Sequence, residues 1–276
     1  MKHLIIDTDI GGDPDDAIAL LLALNSPEVT LDLIVTSDEH GGHRAAFARA
    51  LLQTTGLRIP VVGGSDLGND KYCLVHDLVK AEGKQTDDYL SAIRNVMECN
   101  EHTDYVCIGP QTNIAAFIGY APELQTKMSL TMMGGGIDYR KRDVAEHNIR
   151  YDILAARAVF DAAVSKRYVI SDTTFNELLA VDRTHPIYDA IDNSPCRDLL
   201  LPSFERFFNN YHPASLMHDP LTLCAVLNDE YVSFTTRNLL LDEQGIMRLS
   251  EDGRPTCVSS GAKHAEFMRF LTDRLA

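Results

Sequence analysis

The segment Asp7-Thr8-Asp9-Ile10-Gly11-Gly12-Asp13-Pro14-Asp15-Asp16 sets five carboxylates within ten residues, after a short apolar run and before a helix-forming one. Carboxylates this close repel one another unless a cation neutralises them, and hard oxygen donors select calcium or magnesium. A divalent ion in such a loop lowers the pKa of a water and orients vicinal hydroxyls, while an adjacent carboxylate takes the water's proton. The loop by itself therefore points to a hydrolase. Asp7 and Asp9 point the same way if the strand continues, and Asp15 and Asp16 fall near a helix start, where the dipole favours anions. Capping and turn formation account for one or two of these residues but not for the cluster.

The elements around the loop alternate. His3-Leu4-Ile5-Ile6 has the near-continuous apolar pattern of a strand buried on both faces, and Ala17 to Leu24 reads as a largely buried helix stopped at Asn25-Ser26-Pro27. Leu31 to Thr36 predicts a strand, and Arg44 to Thr55 a helix closed by Gly56. Strands near Pro60-Val62, Tyr105-Ile108, Ser129-Met133 and Tyr168-Ile170 alternate with helices at about Asp88-Cys99, Thr112-Ile118 and Asp152-Ala163. This is an α/β chain with a mostly parallel central sheet and helices on both faces, and ligands gather beyond the C-terminal strand ends. Further on, Cys196 to Asn209 and a segment starting near Asp219 predict helices. Tyr231 to Cys257 predicts short antiparallel strands joined at Gly245 and Asp252-Gly253, and Ala262 to Leu275 an amphipathic last helix. With no linker or repeat, residues 1–276 read as one domain.

Composition narrows the partners. Forty acidic against 25 basic residues give a net charge of −15, which disfavours nucleic acid and anionic membrane surfaces. Cys73, Cys99, Cys107, Cys196, Cys224 and Cys257 are scattered without a CxxC pair and read as reduced core residues. The N-terminus moves straight into a strand pattern without a leader or membrane span, so a cytoplasmic location is expected.

Four further segments, in order, resemble the inosine-uridine-preferring nucleoside hydrolase family, which opens with an Asp-rich signature after its first strand. Gly109-Pro110-Gln111-Thr112-Asn113-Ile114-Ala115 resembles its GPLTNIA turn, and Met133-Gly134-Gly135 its MGG turn. Glu146-His147-Asn148-Ile149 resembles its EFN segment, and His218-Asp219-Pro220-Leu221 its HDPL segment. The resemblance implies a Rossmann-like core and metal-dependent hydrolysis of a ribonucleoside to base and ribose, a salvage activity. It implies a calcium ion in preference to magnesium, and a homodimer or homotetramer. Asp9 would be metal ligand and general base, Asp16 a bidentate ligand, with the Asp219 carboxylate and the Thr112 carbonyl completing the site. Asp15 would bind ribose hydroxyls, Glu146 and Asn148 the sugar, and His218 would lie near the leaving base. Asp38 ends the second strand where the family places a sugar or base contact, although surface solvation is an equal physical reading.

Such a set suits N-ribosidic cleavage, whose oxocarbenium-like sugar needs nearby negative charge. The departing base is then protonated by His218 or stacked on an aromatic; alternatively, His218 only orients Asp219. The sequence departs from the family in a loop two residues longer, in His147 where Phe is usual, and in the stretch from Gly63 to Asp87. That stretch has only His76-Asp77 as a faint match to a base-pocket histidine. Phe207, Phe208 and Tyr211 form a helical aromatic patch, either core or part of a closing segment. His40-Gly41-Gly42-His43 offers two imidazoles without an evident third ligand and reads as a turn opening the second helix. Two competing functions remain: a haloacid dehalogenase-like phosphatase using Asp7 and Asp9, and a nucleoside- or ribose-binding protein of the same fold without catalysis.

Overall fold

The computed structural model describes residues 1–69, 72–81, 88–138, 143–228 and 230–276. Strand β1 (Lys2–Thr8) shows why its run is apolar throughout. Leu4 and Ile6 pack into one core layer and Ile5 into the other, because alternate side chains leave opposite faces of the sheet. The chain continues through α1 (Asp15–Leu24), β2 (Val29–Thr36), α2 (His43–Thr55), β3 (Val61–Gly63), α3 (Tyr89–Cys99), β4 (Thr103–Cys107), α4 (Thr112–Tyr120) and β5 (Met128–Met133). Then come α5 (His147–Tyr151), α6 (Ile153–Asp161), β6 (Ser165–Val169), α7 (Ser171–Thr174), β7 (Ala180–Val181) and α8 (Pro186–Asp192). The last third holds α9 (Arg197–Asn210), β8 (Ser215–Leu216), α10 (His218–Leu227), β9 (Val232–Leu241), β10 (Met247–Leu249), β11 (Arg254–Ala262) and α11 (His264–Leu275).

The nine-stranded sheet runs β10-β9-β11-β6-β5-β4-β1-β2-β3. Its parallel portion has the doubly wound order 3-2-1-4-5-6, so the strand order reverses between β1 and β4, where both strand ends open into one crevice. Helices cover both faces, and no helix among the described residues is long and apolar enough to cross a membrane. Helix α1 is buried along its whole length except Leu24 and packs beside the equally buried α10.

Three sequence expectations need correcting. The 231–257 strands are neither all short nor only antiparallel: β9 spans ten residues, and β11 pairs antiparallel with β9 and parallel with β6, extending the main sheet. Strand β11 runs on through Ala262, so the last helix starts at His264. The helix expected over 152–163 is α6, with Asp152 as its N-cap accepting from the Ala155 amide at 3.0 Å; the short α5 just before it was not expected. All six cysteines are free, but Cys99 is exposed and Cys257 only half-buried.

Among the described residues, Arg44 is the one buried cationic side chain. Its guanidinium donates to the carbonyls of Asp9 and Ile10 (3.0 Å for Ile10), Asp38 (2.8 Å) and Tyr72 (3.3 Å), tying α2 to three loops. Substituting Arg44→Met strips these donors and leaves Asp38 buried without its cation. It should lower the unfolding free energy by about 3–5 kcal/mol in a urea titration. A loss below about 1 kcal/mol, the size of an ordinary substitution, would show that the loops do not depend on it.

Candidate active site

Two helix N-termini, far apart in sequence, meet at the crevice. Asp15 and Asp16 open α1 and Asp219 lies in the first turn of α10, where the partial positive charge of each helix end favours anions. Their carboxylate oxygens lie within 4.8 Å of one another, all three residues are buried, and the Asp219 amide donates to Asp15 Oδ2 at 3.2 Å. The Thr8 hydroxyl donates to Asp16 and Ser215 to Asp13. Burial, followed by repulsion from neighbouring aspartates, pushes the carboxyls of Asp15, Asp16 and Asp219 well above the usual range. Burial likewise lifts Asp13 to about 8, against the hydrogen bond from Ser215.

Glycines let the backbone close in. Gly11 has φ +101°, and a Cβ there would fall 2.7 Å from Val75; a Cβ on Gly109 would fall 2.8 Å from the amide nitrogen and Oδ1 of Asp9. The GPQT turn after β4 therefore presses directly on the catalytic loop.

A cavity of about 310 Å³ opens over this cluster, lined by Asp9, Asp13, Asp15, Asp16 and Asp219 on one side and Glu146, Asn148 and His218 on another. Glu146 caps α5 and accepts from the amides of Gly135, Asn148 and Ile149 at 3.1–3.3 Å, yet burial still raises it to about 7. Asn148 Nδ2 donates to the carbonyls of Ile108 (3.0 Å) and Met133 (3.1 Å), holding the ends of β4 and β5 together. His218 stacks edge-on against Phe175 at 4.8 Å; burial, with the imidazole of His147 beside it, lowers it to about 4.

Seven of the nine residues singled out in the sequence thus line one cavity: Asp9, Asp15, Asp16, Glu146, Asn148, His218 and Asp219. Asp38 and Thr112 do not. Asp38 is buried beneath the crevice, with Oδ2 at 3.6 Å from Arg44 and 3.4 Å from His40. Burial would raise its carboxyl, but the His40 imidazole and the Arg44 guanidinium beside it hold it below the usual range. Thr112 opens α4 and its hydroxyl donates to Asp152 at 2.9 Å. Asp7 is also out of reach of a substrate. It is fully buried, accepts from Tyr105 (2.8 Å) and Asn113 (2.9 Å) and is raised by burial to about 7, which removes the nucleophile that a phosphatase reading requires.

Other lining residues escaped the sequence reading. Tyr72 forms a wall, with its ring 5.1 Å from His147 and 4.8 Å from Tyr211. Arg150, Phe175 and His212 also face the cavity. None carries a local signal: Tyr72 stands in irregular chain, and its place depends on contacts made across the fold. The aromatic patch of α9 divides, because Phe207 lines the cavity, Phe208 packs against Phe204 and Tyr188, and Tyr211 is 49% exposed. His147, where the family has Phe, lies between Tyr72 and Tyr151 at 5.1 and 4.5 Å.

The donor set fits a hard divalent cation. Among the described residues, buried carboxylate oxygens converge without an arginine or lysine among them, since Arg44 spends its donors on backbone carbonyls.

Comparison with known proteins agrees with this geometry. A plant nucleoside hydrolase, PpNRh1, superposes with a TM-score of 0.81 at 22% identity, over 99% of this chain and 98% of that one. A purine-preferring ribonucleoside hydrolase from Gardnerella vaginalis gives 0.81 at 20% identity, over 99% and 98%. In sequence, the pyrimidine-specific ribonucleoside hydrolase RihA of Escherichia coli O139:H28 is 28% identical over 268 residues, covering 88% of this chain and 85% of the relative. The family description "Inosine-uridine preferring nucleoside hydrolase" matches residues 4–267. With that match spanning the acidic loop, the turn against Asp9 and the second helix N-terminus that meets it, the chain belongs to the inosine-uridine preferring nucleoside hydrolase family.

Proposed function

We propose that the cavity hydrolyses the N-glycosidic bond of a ribonucleoside to free base and ribose, with calcium as its ion. The convergence of Asp15, Asp16 and Asp219 from two separate helix ends, beside a cavity of nucleoside size, carries this reading. A cation bound there supplies charge neutralisation, a more acidic water and a grip on vicinal hydroxyls. Asp9, Asp16, Asp219 and the Thr112 carbonyl are the groups to hold it.

Asp9 then takes the proton of the attacking water, and its charge, with that of its neighbours, favours the oxocarbenium-like sugar. Asp15, Glu146 and Asn148 position the ribose hydroxyls. A carboxylate accepts from two hydroxyls at once, and the Asn148 amide is already fixed by two carbonyls. His218 is neutral at physiological pH, so it assists the departing base by hydrogen bonding, while Phe175 and Tyr72 provide rings for stacking. Asp38 braces Arg44 from beneath the crevice and lies outside this division of roles. The continuity of the sheet from β1 to β11 supports reading residues 1–276 as one domain, and family likeness supports an assembly of two or four copies.

A panel of purine, pyrimidine and modified nucleosides should give ribose release that a chelator abolishes and calcium restores. Absence of release from every member would sink the proposal. Asp9→Asn should lower kcat by about 10²- to 10⁴-fold, the usual contribution of a general base; a loss under about 10-fold would remove Asp9 from that role.

Stability of the chelated protein should also depend on pH. Burial raises the carboxyls of Asp7 to about 7 and Asp13 to about 8, from an ordinary value of 3.8, so the folded state holds more protons across this range. Stability must therefore fall as pH rises from about 4 towards 8. Thermal melts of chelated protein should show this decline, and calcium should flatten it. A melting temperature that rises with pH in chelator would contradict the electrostatic assignment.

A further inference from the structure

A second cluster of ligating side chains lies behind the Tyr72 wall, away from the carboxylates. The sequence pairs two imidazoles in His40-Gly41-Gly42-His43, and the fold supplies what that pair lacked. Ligand atoms of His40, Cys73 and His76 lie within 4.8 Å of one another. The rings of His40 and His43 stand 5.8 and 4.8 Å from that of His76, so a third imidazole lies next to the cluster. The His40 side chain is 4% exposed, and its Nε2 is buried without a hydrogen-bond partner. Asp38 Oδ2 lies 3.4 Å from that nitrogen, a negative charge beside the ligating atom that favours a cation there. A buried polar nitrogen left unpaired is costly in a folded protein, and a ligand satisfies it.

We propose that His40, Cys73 and His76 form a transition-metal site, with zinc as the fitting ion, separate from the oxygen-lined site and serving to fix the wall of the nucleoside cavity. The donor chemistry separates the two. Thiolate and imidazole select zinc, whereas carboxylates alone select calcium or magnesium. Tetrahedral zinc with ligands at roughly 2.0–2.3 Å would draw these side chains together by about 1 Å. Cys73 releases its thiol proton to solvent on binding, and the fourth position is left to water or His43, whose Nδ1 is held by the His40 carbonyl at 2.7 Å.

The position gives the ion a structural effect. Cys73 follows Tyr72, and Leu74 donates its amide to the Gly11 carbonyl at 2.7 Å. The Val75 side chain closes on Gly11 and the Tyr72 ring on Gly12. An ion at Cys73 and His76 therefore fastens residues 72–76 to the turn at 40–42, while the other side of the same segment touches the acidic loop and the cavity.

The test is a cobalt titration of the calcium-saturated protein. One further equivalent should bind with a near-ultraviolet thiolate-to-cobalt charge-transfer band, and zinc should bleach it. Cys73→Ser should abolish the band, and His76→Gln, at an exposed position that tolerates the change, should weaken binding by at least about 10-fold. Absence of the band in the unaltered protein would overturn the site. So would a band that persists in C73S or has unchanged affinity in H76Q.

Discussion

The structure depends on burying several aspartates that repel one another. Asp9, Asp13, Asp15, Asp16 and Asp219 all lie at one crevice, and burial makes their charged forms expensive. Three arrangements make the cluster tolerable without neutralising it. Two helix N-termini point at it, hydroxyls of Thr8 and Ser215 bond it, and Arg44 holds the surrounding carbonyls in place. What is left is a deficit of positive charge that a divalent ion fits, and that deficit is the source of the chemistry.

Geometry follows from the same constraint. The helices that deliver the carboxylates, α1 and α10, are apolar on nearly all sides and must be inside the molecule, side by side. Placing them there forces the reversal point of the sheet to become the mouth of the site. The opposite wall of the cavity then comes from the neighbouring strand ends, because Asn148 bonds the carbonyls that finish β4 and β5.

Much of this was legible before any coordinates. The alternation of apolar runs predicted the parallel sheet, and five aspartates between a strand and a helix marked the crevice. The turn at Gly109-Thr112 was readable through its resemblance to the family's segment, and the start of α10 because a helix-opening aspartate carries local meaning. The short α5 was not legible, since five residues carry too little periodicity to mark a helix. Tyr72, Phe175 and Arg150 were invisible for a different reason: each lies in ordinary-looking sequence and joins the cavity only through distant contacts. Arg44 was read only as the first residue of a helix, and folding shows it fully enclosed. The α9 patch could not be divided in advance, because Phe207 and Phe208 are adjacent and part ways only at the cavity wall.

The complete enclosure of α1 and α10 has a kinetic consequence. Backbone amides in such helices exchange with solvent only when large parts of a protein open together, so the carboxylates stand on some of its slowest-opening segments. Side chains of the cavity wall such as Tyr72 lie outside those helices and turn on the timescale of rotamers, so motion at the wall is separated from unfolding while the floor of the site stays fixed.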